Sequence, residues 1–220
     1  MFLGRGYEPV TLTRGIAERA EDKVMAVTFD DACRSVFESA RPVLSRLGVV
    51  ATVFVPTAFP GLDTPMSWAG IEHWSRGPDA HELIPMSWEQ LGELHSEGWE
   101  IGSHTCTHPD LTTLGDVRLA AELDGSRRTC EERLGVPCTA IAYPYGSADL
   151  RVAQAAEAAG YTIGTVLAAV ETGPHGRLLW PRLSLYQNDG RLRARVKEVA
   201  FGTQPRLWNV LASSARRFSR

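Results

Sequence analysis

Short apolar runs alternate along the chain with longer stretches whose apolar positions recur at helical spacing, an order that predicts βα units around a parallel sheet. VMAVTF (24–29), VVATVFV (49–55), CTAIAY (138–143) and YTIGTV (161–166) read as buried strands. Trp99 and Ile101 in GWEIGS mark another, and RLLWPRLSLY (177–186) is a further strand with Pro181 at its start or edge. In RSVFESARPVLSRLG (34–48) the residues Val36, Phe37, Ala40, Val43, Leu44 and Leu47 form a helical stripe. Gly48 suits its left-handed end, and Pro42 implies a kink or a late start. Ser87 and Gln90 form a capping box that opens the helix over 88–98. Asp116 is expected to cap a longer helix that runs to Leu134 and closes at Gly135, and Ser147 to cap one that closes at Gly160. Trp88 and Trp99 fall at element starts and are expected to pack.

Between 56 and 86 the pattern lapses for about thirty residues that carry Trp68, His73, Trp74 and His81, a length usually reserved for functional or mobile loops. The 220 residues, 44% hydrophobic and 22% charged, suit one globular domain over 1–220. Its core is expected over about 24–186, with a C-terminal helical extension over 187–220. A net charge of -3 argues against a nucleic-acid footprint, and the locally basic segment 191–220 reads as a solvated helix face. The opening residues contain no long apolar run, so the expectation is no membrane span, no secretory signal and a cytoplasmic setting. The four cysteines make no tight C-x-x-C pair and are expected to be reduced, with Cys130 and Cys138 as small buried apolar residues.

Three polar clusters fall at strand exits: Asp30-Asp31, His104 to His108, and Tyr143 to Gly146. In parallel α/β folds the strand C-termini line one face, so the clusters can meet there. The histidines sit at i and i+4, but Gly102-Ser103 and Pro109 favour a loop. Two imidazoles and one carboxylate form a set that holds a divalent cation and leaves positions open for water and substrate. One aspartate can ligate while its neighbour takes a proton, and a cation between the strand ends helps keep both ionised. Cys106, between the histidines, is expected to point away from them.

TFDD, SHTCTHPDL and AYPYG, in this order and at these separations, resemble the first three motifs of the NodB-homology polysaccharide deacetylases, carbohydrate esterase family four. The similarity runs from about residue 24 to 186. It implies an α/β fold, a distorted (β/α) barrel with fewer than eight strands. By position, it implies Asp30 as general base, Asp31, His104 and His108 as metal ligands, and the Tyr145 backbone N–H as an oxyanion donor. Zinc is the default for two imidazoles and a carboxylate, with cobalt, nickel or iron as alternatives. The implied reaction is metal-assisted amide hydrolysis of an N-acetylated carbohydrate, a polymer or a glycan-biosynthesis intermediate.

The pattern departs from the family twice. Ala142 stands where many members carry the arginine that holds the base, and Arg182 is the candidate to replace it through a bidentate pair with Asp30. Tyr186 stands where a histidine usually acts as general acid. His175, His73, His81, a water or the protonated base acting in reverse are the candidates for that role. Trp68, Trp74 and Trp180 offer a sugar-stacking platform or ordinary packing. The same site suits O-acetyl esters or a non-sugar amide, and Ala142 and Tyr186 motivate a second reading, a metal-containing carbohydrate-binding module without turnover. The sugar, its linkage and the oligomeric state are left open.

Overall fold

The computed structural model describes residues 3–17, 23–167 and 173–185, the side chains of 173–175 excepted. The elements are β1 (Glu8–Val10), α1 (Leu12–Ala17), β2 (Val24–Ala26), β3 (Thr28–Phe29), α2 (Arg41–Arg46), β4 (Thr52–Val55), α3 (Trp88–Ser96), β5 (Glu100–Ser103), α4 (Asp116–Leu134), β6 (Ala140–Ala142), α5 (Leu150–Ala158), β7 (Ile163–Val166) and β8 (Trp180–Pro181). Strands β3 to β8 form one six-stranded sheet in chain order, parallel throughout, while β1 and β2 make a small parallel pair. A parallel sheet that advances strand by strand in sequence curls into a barrel segment, and all the strand exits open on one rim. Every residue of β4 and β7 is buried, as strands covered on both faces require.

Three cores divide the packing. Leu12 and Ile16 of α1 meet Phe54, Ala140, Ala142 and Ile163 in one core. Its small alanines leave room for the Phe54 ring, and so does Gly102, where a Cβ would sit 2.7 Å from that ring and 2.9 Å from the Ala140 carbonyl oxygen. A second core joins β4 and β5 to α3 and contains buried Trp99, whose ring lies 6.1 Å from that of Phe29. The third packs α4 and α5 on β6 and β7 and contains Cys130 and Cys138.

Several local expectations are corrected. The apolar run 24–29 is two strands, because the chain changes sheets at Val27: Ala26 pairs with Val10, Thr28 with Thr52. The strand expected from residue 49 begins at Thr52, since the Val49 N–H bonds back to Leu44 at the end of the preceding helix. That helix starts as a π-turn over Val36–Ala40 and becomes α only at Arg41, with Pro42 in its first turn, where a missing N–H costs least. Gly115 takes the N-cap position, so Asp116 is the first helical residue, its carboxylate at the positive end of the helix. Asp149 caps α5, accepting from the Val152 N–H at 2.8 Å, because Ser147 is still held in the preceding turn by Pro144. The capping box of Ser87 and Gln90 and the left-handed Gly48, Gly98, Gly135 and Gly160 appear where expected. No helix among the described residues is long and apolar enough to cross a membrane. Tyr186 and the segment 187–220 lie outside the described residues.

Candidate metal centre and active site

Among the described residues, five that are not glycine have a left-handed backbone, and all five lie at three strand exits: Asp31 (φ 67°), Ala32 (52°), Thr105 (68°), His108 (61°) and Tyr145 (59°). Each such residue costs about 1–3 kcal/mol and persists only where its surroundings over-determine it. Asp31 and Ala32 follow β3, and the Ala32 carbonyl accepts from the Met86 N–H at 2.8 Å. Thr105 Oγ1 accepts from the His108 N–H at 3.1 Å, which closes the loop after β5. The loop is therefore not helical between the two histidines.

The structure brings Asp31, His104 and His108 together, with one potential ligand atom from each within 4.8 Å of the others. Asp31 Oδ1 lies 3.4 Å from His104 Nε2 and 3.4 Å from His108 Nε2. His104 Nδ1–H donates to the Ala142 carbonyl at 2.7 Å, which leaves Nε2 as the ring nitrogen that faces Asp31. Burial, reinforced by the neighbouring His104, pushes the His108 imidazole down to about 3, which leaves that ring neutral. The buried Asp31 Oδ1 has no hydrogen-bond partner. The 3.4 Å spacing suits a cation: a tetrahedron with arms of about 2.0–2.1 Å has edges of roughly 3.4 Å. Burial also raises the Asp31 carboxyl, partly offset by His104 and reinforced by Asp30, and a bound cation would reverse that direction. The donor set therefore fits a divalent metal.

Asp30 lies next to this group and faces Arg182. Nη1 donates to Oδ1 at 2.7 Å and Nη2 to Oδ2 at 2.8 Å, a bidentate pair, while Nη1 also reaches Thr28 Oγ1 at 3.0 Å. Arg182 follows β8 and Asp30 follows β3, so this pair spans the two edges of the main sheet. Burial alone would raise the Asp30 carboxyl, but the guanidinium and the two histidines outweigh it and hold the group below the usual carboxylate range. It is an ionised carboxylate with lone pairs to spare.

Tyr145 sits in the turn Pro144–Gly146 after β6, its exposed ring edge-on to His108 at 4.9 Å and its hydroxyl donating to the Ala69 carbonyl at 2.9 Å. Of the three indoles considered for a platform, Trp68 reaches the site and stacks on the His108 ring at 4.0 Å, whereas Trp74 and Trp180 are exposed. His73 lies against Trp74, and His81 pairs with Glu82 at 3.5 Å, both on the surface of the 56–86 segment. The side chain of His175 lies outside the described residues. Cys106 Sγ turns to the Glu122 carbonyl of α4, with Gly125 leaving it room.

Sequence reasoning missed Glu122. Its buried carboxylate accepts from the Cys106 and Thr107 N–H groups, each at 2.9 Å, and from Thr107 Oγ1 at 2.6 Å, holding the loop between the two histidines from behind. The available signal was a glutamate in register with Leu119, Leu123 and Ser126 on the inner face of α4. Glu122→Ala leaves these donors without their acceptor and is expected to lower the unfolding free energy by about 3 kcal/mol, measured by urea denaturation.

Residues 17–164 match the family profile described as polysaccharide deacetylase. The chain belongs to the polysaccharide deacetylase family. Among relatives of this deacetylase-family chain, YxkH of Bacillus subtilis (strain 168), whose name places it among the polysaccharide deacetylases, is 29% identical over 147 residues, 67% of this chain and 46% of YxkH. Chitin deacetylase 1 of Cryptococcus neoformans var. grubii is 36% identical over 74 residues, 34% of this chain and 16% of its own length. The match thus spans less than half of either relative. The fold resembles that of the Streptococcus pyogenes deacetylase PplD solved with acetate, with a TM-score of 0.70 and 21% identity over 88% of this chain and 80% of that one. IcaB from Ammonifex degensii gives a TM-score of 0.70 and 22% identity over 90% and 84%. These likenesses establish the six-stranded sheet as the deacetylase type of distorted (β/α) barrel.

Proposed function

We propose that the protein is a metal-dependent hydrolase that removes N-acetyl groups from a carbohydrate, a polymer or a glycan precursor, with zinc held by Asp31, His104 and His108. The observation that carries this reading is the buried Asp31 Oδ1 facing two imidazole nitrogens at 3.4 Å, beside an aspartate gripped by a guanidinium. A divalent cation at this position supplies Lewis acidity to the acyl carbonyl and lowers the pKa of water. Asp30, fixed by Arg182, takes the proton from the attacking water at a carboxylate oxygen. The backbone N–H of Tyr145, set by the left-handed turn, donates to the oxyanion that develops on the acetyl group. Asp30 then returns its proton to the leaving nitrogen. His73 and His81, two other candidates for this proton transfer, lie exposed against Trp74 and Glu82.

The reading is tested with the 220-residue chain stripped by a chelator and reloaded with zinc, assayed on N-acetylglucosamine oligomers and on O-acetylated sugars. Zinc-dependent release of acetate, preferentially from the acetamides, is expected. Hydrolysis that survives the chelator overturns the metal assignment. Preference for O-acetyl esters moves the substrate class. Zinc binding without cleavage of any acetamide or ester returns the protein to the binding-module reading.

A further inference from the structure

The 56–86 segment touches all three strand exits. At its start the Thr57 and Ala58 N–H groups donate to Thr105 and Cys106, each at 3.0 Å. Near its end Ile84 accepts from Arg34 at 2.7 Å, and Met86 donates to Ala32. Two consecutive residues in its middle reach the other groups of the site. The Trp68 indole stacks on His108 at 4.0 Å and 23°, backed edge-on by Phe59 at 5.6 Å, and the Ala69 carbonyl accepts from the Tyr145 hydroxyl.

The two histidines are held differently. His104 has its ring fixed by the bond from Nδ1–H to Ala142, the kind of partner a ligating histidine usually keeps. His108 Nδ1 is buried with no hydrogen bond to another residue, and its ring is instead enclosed by Trp68, by Tyr145 and by His104 at 4.7 Å. We infer that Trp68 is a positioning residue for the metal centre, its indole setting the His108 ring by stacking in place of a hydrogen bond. This makes the 56–86 segment part of the metal centre. The inference rests on His108 being a ligand, as proposed above.

Zinc affinity, measured by competition with a chromophoric chelator, is compared for wild type, Trp68→Ala, Trp68→Phe, His108→Ala and the Trp68→Ala/His108→Ala double variant. Thermal unfolding of each zinc-free protein is followed alongside. Trp68→Ala is expected to weaken zinc binding about 10-fold or more, the usual cost of losing an outer partner, and Trp68→Phe to recover most of it. In the His108→Ala background Trp68→Ala should cost nothing further, and in the wild-type background it should change the visible spectrum of the cobalt-loaded protein. If Trp68→Ala does not fold, Trp68→Leu, which keeps apolar volume without a π-face, carries the same comparison. Wild-type affinity in Trp68→Ala, or an equal loss with and without His108, overturns the inference and leaves the metal reading standing. Failure of the wild type to bind zinc at all overturns both.

Discussion

Asp30→Asn is expected to lower kcat on an N-acetylated oligosaccharide by about 10²- to 10⁴-fold, the usual contribution of a positioned general base. Zinc affinity should stay near wild type, because Asp31, His104 and His108 keep their places. The amide occupies the same volume but loses the charge and half of the acceptor face: one of its atoms is an NH₂ that meets a guanidinium N–H head-on. Arg182, only 10% exposed at its side chain, is then left with neutral acceptors alone, the amide oxygen and Thr28 Oγ1, so stability should fall by about 2 kcal/mol. The assay is therefore run well below the unfolding midpoint, with zinc content measured on the same sample. A kcat within about 10-fold of wild type would place the base elsewhere, since that is less than such a group contributes.

How much of this was legible in the sequence depended on which interactions are local. The strand exits were readable because short apolar runs end abruptly in FDD, SHTCTH and YPYG, and parallel topology carries those ends to one rim. The capping box and the glycine helix ends were readable because they lie within a few residues of the elements they close. The split of the 24–29 run was not, since hydrophobicity reports burial and does not say which sheet a strand joins. The α1 contribution to the inner core was missed for another reason: Leu12 and Ile16 make too short a stripe to register as a helix.

Asp30 and Arg182 are 152 positions apart, and nothing local links them. Ala142 is what directed attention to a distant guanidinium, and its small side chain has a further consequence in the structure. It belongs to the core that contains Phe54, over whose ring the Arg182 guanidinium lies at 5.4 Å, so a cation reaches Asp30 from β8 while β6 contributes only bulk and a carbonyl. Glu122 was invisible for the opposite reason. Its partners are backbone N–H groups, which every sequence has, and only the left-handed turns at Thr105 and His108 aim them at α4.

His104→Ala is expected to weaken zinc binding by more than about 100-fold, beyond the 10- to 100-fold that an outer partner costs, and to bring acetate release close to that of chelator-treated protein. The side chain is 2% exposed and does two jobs. Nε2 faces Asp31 Oδ1, and Nδ1–H satisfies the Ala142 carbonyl inside the barrel. Removing it leaves a dry hollow with one acceptor at its wall, so stability is also expected to fall, by about 2–4 kcal/mol from the lost bond and the cavity together. A loss of activity alone would therefore not separate ligation from folding. Added imidazole separates them, because the hollow keeps the shape of the ring and the carbonyl that orients it. If His104 ligates, millimolar imidazole should restore part of the zinc affinity and of the acetate release in His104→Ala and change neither in wild type. Recovery of the unfolding midpoint with no gain in zinc affinity would leave His104 a structural residue, and the centre would then lack its second nitrogen donor.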